Sequence, residues 1–161
     1  MSMFEDQHYR WRETYFVLFD SAKRPTLAAV KKTLSALDDR YALVNPLGDA
    51  KGRFESIGVV SPDDFAAMDI CYTSGDEVVE QRGELYDEIQ RGVPAAQRAK
   101  LKRILEYDGR FDVLHFERLA DPEEEDEDED MLDPGAVLIV LEALRRLVEG
   151  VAVDPQSGTI V

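Results

Sequence analysis

The stretch Thr14–Asp20, TYFVLFD, is apolar on both of its alternating faces. Successive side chains of a strand point to opposite sides of a sheet. Tyr15, Val17 and Phe19 therefore face one way, and Phe16 and Leu18 the other. A strand with one wet side would alternate apolar with polar residues; this one needs cover on both sides and belongs inside the sheet. That requirement excludes a simple helical bundle and a sheet with one solvated face at this strand.

The elements that could provide the cover follow from periodicity. Leu27, Val30, Leu34 and Leu37 recur at helical spacing, and Pro25 suits a first helical turn, which predicts a helix over Pro25–Asp38. Tyr41–Val44 and Phe54–Val60 read as strands joined by a turn between Gly48 and Gly52, with Asn45-Pro46 expected to end the first ladder. Ser61-Pro62-Asp63-Asp64 reads as a second turn, and Phe65–Thr73 as a strand that puts Met68, Ile70 and Tyr72 on one face and Ala67, Asp69 and Cys71 on the other. Ser74 and Glu77 have capping-box spacing ahead of a helix to about Arg91, with Gly92 as its stop. Pro94 opens another helix, with Leu101, Ile104 and Leu105 on its apolar side and Arg98, Lys100, Lys102 and Arg103 opposite. Phe111–Leu119 reads as a strand. Asp133 and Pro134 suit the start of a strongly apolar helix that Gly150 ends, and VAVDPQSGTIV closes as a hairpin.

The order β-α-β-β-β-α-α-β-α-β-β predicts a single α+β domain over residues 1–161: a mixed, mainly antiparallel sheet with helices packed against it. The short turns favour antiparallel pairing of the middle three strands, and the βα opening leaves room for one parallel pair. No repeat is visible. At 161 residues, 44% hydrophobic and 33% charged, the chain can bury a core.

The net charge is −15, and it is unevenly placed. Ten carboxylates fall between Asp121 and Asp133 without a basic residue; the rest of the chain carries only −5. An acidic chain repels nucleic-acid phosphates and anionic membranes and is complementary to a basic protein. The single cysteine, Cys71, excludes an internal disulfide and a thiolate metal cluster and fits a reducing compartment. The opening MSMFEDQHYRWRETYF has acids and arginines ahead of any apolar run and does not read as a secretory signal. The longest apolar run is Ala136–Leu141, far short of the ~20 residues of a membrane span. A cytoplasmic location is expected.

Several patterns invite chemistry. A calcium loop counted from Asp126 finds Asp128 and Asp130 in place but Met131 where glycine belongs and Val137 where the bidentate Glu belongs, so no specific metal site is expected. Packed carboxylates still attract divalent cations weakly. Gly48–Phe54, GDAKGRF, lacks the spacing, the hydroxyl residue and the following helix of a phosphate loop. His8 lies in a polar, aromatic arm, and His115 sits in phase with Phe111 and Val113 on a strand, a position that suits a satisfied buried or rim histidine. Cys71 sits in a strand, where a free cysteine acts as a small apolar residue; the helix start at Ser74 is the one cue for a more reactive thiol. Trp11 is expected to pack in the core or at an edge. No catalytic or cofactor motif emerges.

The acidic run by itself reads first as a solvated, self-repelling loop; for the whole chain the leading reading is a non-enzymatic interaction module that binds a protein, a basic one being electrostatically allowed, through a sheet face or through Glu123, Glu124, Glu125, Asp126, Glu127, Asp128, Glu129 and Asp130. The first alternative is an enzyme or small-molecule binder with a pocket on the sheet, for which Asp69, Cys71 and His115 are the candidate residues. The second is a weak divalent-cation binder working through the acidic insert at 121–133. Nothing in the residues specifies an oligomeric state.

Overall fold

The computed structural model describes residues 8–61, 66–118 and 135–161. Within them the chain runs β1 (Tyr9–Phe19), α1 (Leu27–Ser35), β2 (Ala42–Gly48), β3 (Phe54–Ser61), β4 (Ala66–Ser74), α2 (Asp76–Ile89), α3 (Arg98–Arg103), β5 (Gly109–Arg118), α4 (Gly135–Val148), β6 (Val151–Asp154) and β7 (Thr159–Ile160). This is an α+β fold. The predicted turn at Pro62–Asp64, the helix start at Asp133-Pro134 and the acidic insert at 121–133 lie outside the described residues.

The seven strands form one sheet in the order β2-β3-β4-β5-β1-β6-β7, and every neighbouring pair is antiparallel. The parallel pair for which the βα opening left room does not form among the described residues, for a topological reason. β1 and β2 do run in the same direction, but β3, β4 and β5 stand between them, so α1 carries the chain across the sheet rather than to an adjacent strand.

β1 sits between β5 and β6 and is covered on both faces, as its composition requires. On the first face Tyr15, Val17 and Phe19 join Val30 and Leu34 of α1 and Val137, Val140, Leu141, Leu144 and Val148 of α4. Phe111 is the centre of an aromatic group there, 4.7 Å from Phe19 and 5.5 Å edge-on from Phe54, ring to ring. Burying such a ring stabilises the fold by about 1.5–3 kcal/mol. On the second face Leu18, Val151 and Val153 lie under Val78, Leu85 and Ile89 of α2 and Leu101 of α3.

Several predicted boundaries shift for identifiable reasons. α1 starts at Leu27, not Pro25, because Pro25 and Thr26 are held against the β2–β3 turn: Phe54 N donates to Pro25 O at 3.0 Å and Leu27 N to Gly52 O at 2.9 Å. Thr26 then caps the helix through Ala29 N at 3.1 Å. β2 continues through Asn45-Pro46 to Gly48, with its ladder interrupted between Val44 and Leu47. As an edge strand β2 can lose the proline's donor, and Asn45 takes φ +50° to absorb the extra residue. Ser74 does not cap α2, because it is still paired to Gly109 in the sheet; Gly75, at φ +94°, makes the corner, and Asp76 and Glu77 face the positive helix end. The helix after Pro94 is only Arg98–Arg103, flanked by 3-10 turns at Ala95–Gln97 and Ile104–Glu106, which turns Leu105 outward. Trp11 is 44% exposed rather than packed, its indole N–H donating to Thr14 Oγ1 at 3.2 Å.

Candidate functional site

The two helices on the second face, α2 and α3, rest on β1 and β6 and leave the β2–β3–β4 part of that face less covered. There the sheet carries a groove of about 450 Å³. Ser56 and Gly58 of β3 and Asp69 and Cys71 of β4 form its floor, and Asn45, Pro46 and Leu47 of β2 form one rim. The strand alternation explains the floor. Ile57 and Met68 point into the first-face core, so their neighbours in sequence must face the other way. The interruption of β2 explains the rim, since it pushes Asn45, Pro46 and Leu47 out of the ladder and leaves Leu47 53% exposed. Beside the groove Ala67 and Phe116 are buried, with Val44, Val60 and Leu114 packed against them.

Asp69 and Cys71 thus share one groove, about 7 Å apart along the strand. His115 does not join them. It pairs with Met68 across β4 and β5 and lies on the opposite face of the sheet, fully buried. The sheet itself separates the three sequence candidates, so they make no common catalytic centre. Cys71 has a thiol pushed to a raised pKa by burial first, and then by the charges of Asp69 and Asp112. Both effects favour the thiol over the thiolate.

His115 has its own partners on the first face. Its Nδ1 lies 3.0 Å from Glu13 Oε1, and the Tyr15 hydroxyl donates to the same oxygen at 3.1 Å. The Glu13 carboxylate is the acceptor in that contact, so Nδ1 is the donor. The ring's Nε2 is buried without a hydrogen-bond partner among the described residues. Burial and the Glu13 charge raise the Tyr15 pKa far above its ordinary value, so the phenol remains a donor. Two residues further along β5, Glu117 is 2% exposed and held by Arg10 at 2.6 Å and Arg12 at 3.4 Å. A buried carboxylate needs such partners. Arg12 falls where the β1–β5 register slips between Trp11 and Glu13. These contacts bridge residues more than 100 apart in sequence, so spacing carried no sign of them.

The basic residues Arg98, Lys100, Lys102 and Arg103 are exposed on α3, and His8 is exposed at the start of β1. Among the described residues no three His, Cys, Asp or Glu side chains are placed to hold a metal. Also among the described residues, no helix is long and apolar enough to cross a membrane. Glu123–Asp130, the residues expected to contact a partner, lie outside the described residues. No family model, no curated protein and no solved structure matches this chain.

Proposed function

We propose that the chain is a cytoplasmic, non-enzymatic interaction module whose partner is a basic protein. The observation that carries this reading is the separation of Asp69 and Cys71 from His115 by the thickness of the sheet. It removes the one constellation of polar strand residues that favoured catalysis. The raised thiol pKa of Cys71 points the same way. The net charge of −15 supplies the positive side of the argument: it speeds encounter with basic surfaces and selects against nucleic acid and anionic membranes. Glu123–Asp130 are the residues assigned to this electrostatic contact.

The test uses the intact chain and a chain lacking Glu123–Asp130 as baits in lysate, at low and moderate salt. The expected result is a basic partner recovered by the intact chain, released by salt and lost on deletion. Recovery of the same partners with the same salt dependence by both baits removes the acidic segment from the function. A second reading, a small-molecule binder, is favoured by the groove over Asp69 and Cys71. It predicts ligand-dependent protection of Cys71 from alkylation, which a screen of small cationic and neutral compounds would detect.

A further inference from the structure

We infer that the hollow between α2 and α3 binds a small phosphate monoester, with Arg98 and Lys102 as the groups that hold its phosphate. The inference goes beyond the interaction-module reading and stands without it. The hollow has a volume of about 280 Å³, at the small end of ligand pockets, ~300–1,000 Å³. Leu101, 2% exposed, and the half-buried Val93 form its apolar part. Two polar pairs border it. Tyr86 and Gln90 come from the end of α2, and Arg98 and Lys102 from α3. Each pair is spaced i, i+4, which places its two Cβ atoms about 5–6 Å apart on the same side of a helix.

The basic residues of α3 do not form one face. Lys100 and Arg103 turn to the other flank of Leu101, where they lie with Arg145 beside Gly150 and Val151. Arg98 and Lys102 border the hollow, and among the described residues no carboxylate lines it. Other arginines of the chain take carboxylate partners: Arg10 with Glu117, Arg53 with Asp49 and Arg110 with Asp112. Acids outnumber bases 34 to 19, so such partners are plentiful. Even so, Arg98 and Lys102 make no ion pair or side-chain hydrogen bond among the described residues. Asp87 touches the rim through the Gln90 amide, which donates to it at 3.5 Å, a bond long enough to exchange for a ligand oxygen. A guanidinium offers a planar fork and an ammonium a point charge, and the Tyr86 hydroxyl and Gln90 amide add further donors for the outer oxygens of a phosphate. A phosphate monoester carries close to two negative charges at pH 7, which matches the two bases; a carboxylate carries one. Exposed charges act over ~8 Å at physiological salt, so the nearest bases govern a small ligand in the hollow. A nucleic-acid strand fits less well, since two bases do not offset the repulsion between a polyanion and a chain at −15.

The experiment titrates phenyl phosphate into the isotope-labelled full chain and follows its amide chemical shifts at neutral pH and physiological salt. Benzoate, phenol and inorganic phosphate serve as controls. Saturable shifts confined to the amides around Tyr86, Val93 and Leu101 are expected, with a dissociation constant below about 1 mM. Phenol should produce none, and benzoate should bind about tenfold more weakly. Inorganic phosphate should shift the same amides more weakly, because it lacks the body that Val93 and Leu101 would cover. Arg98→Gln and Lys102→Gln should each weaken phenyl phosphate by about tenfold. Lys100→Gln, on the opposite flank, should leave it unchanged. The unshifted remainder of each spectrum shows that the variant is folded. Equal weakening by Lys100→Gln, equal binding of benzoate or of inorganic phosphate, or shifts spread over every basic residue overturns the inference, because bulk charge then explains the binding. So does an absence of saturation in the wild-type chain. Tighter binding of a Glu-rich peptide at the same amides assigns the bases to an acidic protein and overturns it as well. None of these readouts uses Glu123–Asp130, so failure here is distinguishable from failure of the module reading.

Discussion

Replacing Gly150 by alanine tests how the second face is closed. Gly150 joins α4 to β6, immediately after Glu149 has turned the chain at φ +54°. Its amide donates to Arg145 O at 2.9 Å, and the next residue, Val151, pairs with Leu18 of β1. A Cβ at this position would overlap the Leu18 carbonyl oxygen and sit 3.0 Å from Phe19 Cβ. Leu18 and Phe19 are themselves buried in the sheet, so neither can swing aside as a surface side chain would. Relief has to come from moving β6 away from β1. Overpacking of this kind costs about 1–3 kcal/mol, and a weakened ladder bond adds about 1 kcal/mol. A total near 3 kcal/mol, divided by a urea dependence of ~2 kcal/mol/M for a domain of this size, lowers the unfolding midpoint by about 1.5 M. Gly83→Ala is the internal control. Gly83 lies within α2, and a Cβ there meets nothing within 4 Å. It should stabilise by about 0.5–1 kcal/mol through helix propensity. Urea titrations of both variants, followed by far-UV dichroism at one pH and salt, should therefore move in opposite directions. A Gly150→Ala midpoint within about 0.3 M of wild type would refute the close approach of β6 to β1, and with it this account of how Val151 and Val153 come to lie beneath α2 and α3.

Further outcomes follow from local contacts. Asp108 accepts from Ser21 N at 2.8 Å and Ser21 Oγ at 2.7 Å, which lowers its pKa and ties the end of β1 to the start of β5. A lowered folded pKa contributes stability above the unfolded value of 3.8 that is lost as pH falls through the folded value. Asp108→Asn should cost about 1 kcal/mol at pH 7 and flatten the acid limb of a stability–pH curve; an unchanged limb would contradict the assignment. Glu142, lowered to about 2 from 4.5 by Arg145 and then Arg146, acts over the window from pH 4.5 down to 2. Because its side chain is 45% exposed, solvent screening holds the cost of Glu142→Gln at neutral pH to about 0.5 kcal/mol, and thermal melts at pH 7 and pH 3 should show the difference vanishing in acid. Cys71 in the folded chain should react with iodoacetamide at pH 7.5 more slowly than in the urea-unfolded chain, given its burial-raised pKa; faster labelling of the folded thiol would restore a reactive role for it.

Much of the architecture could be read from residue pattern. The two-faced apolar run at Thr14–Asp20 demanded an interior strand, and β1 is one. The alternation in Ala66–Ser74 put Asp69 and Cys71 on a common face, and they share a groove. The hairpin at Asp154–Gly158 forms as its turn residues require, with Gly158 at φ +67°. Other features were invisible for physical reasons. Ser74 has capping-box spacing with Glu77, yet its backbone is held by a sheet partner contributed from Gly109, and local propensity yields to that pairing. Pro46 reads as a strand breaker, but whether it breaks depends on edge or interior position, which no short window reveals. His115 reads as a satisfied buried or rim histidine, but whether it joins Cys71 could not be read, because the phase between two strands is a property of their register and not of either strand.

The sequence by itself determined the alternation of elements, the two-sided burial of β1 and the concentration of charge in one segment, because these depend on periodicities of two and 3.6 residues and on simple counting. Only the tertiary structure decided the strand order, the antiparallel placement of β1 beside β5, the contacts of His115 and Tyr15 with Glu13 and of Arg10 with Glu117, and the exposure of Ile139 and of Leu138, which reads as part of the helix's one broad apolar stripe. The reason is that a strand or helix specifies what it must bury but not against which element. That choice is made among long-range alternatives, where register, crossover and the close approach allowed at Gly150 select a single packing.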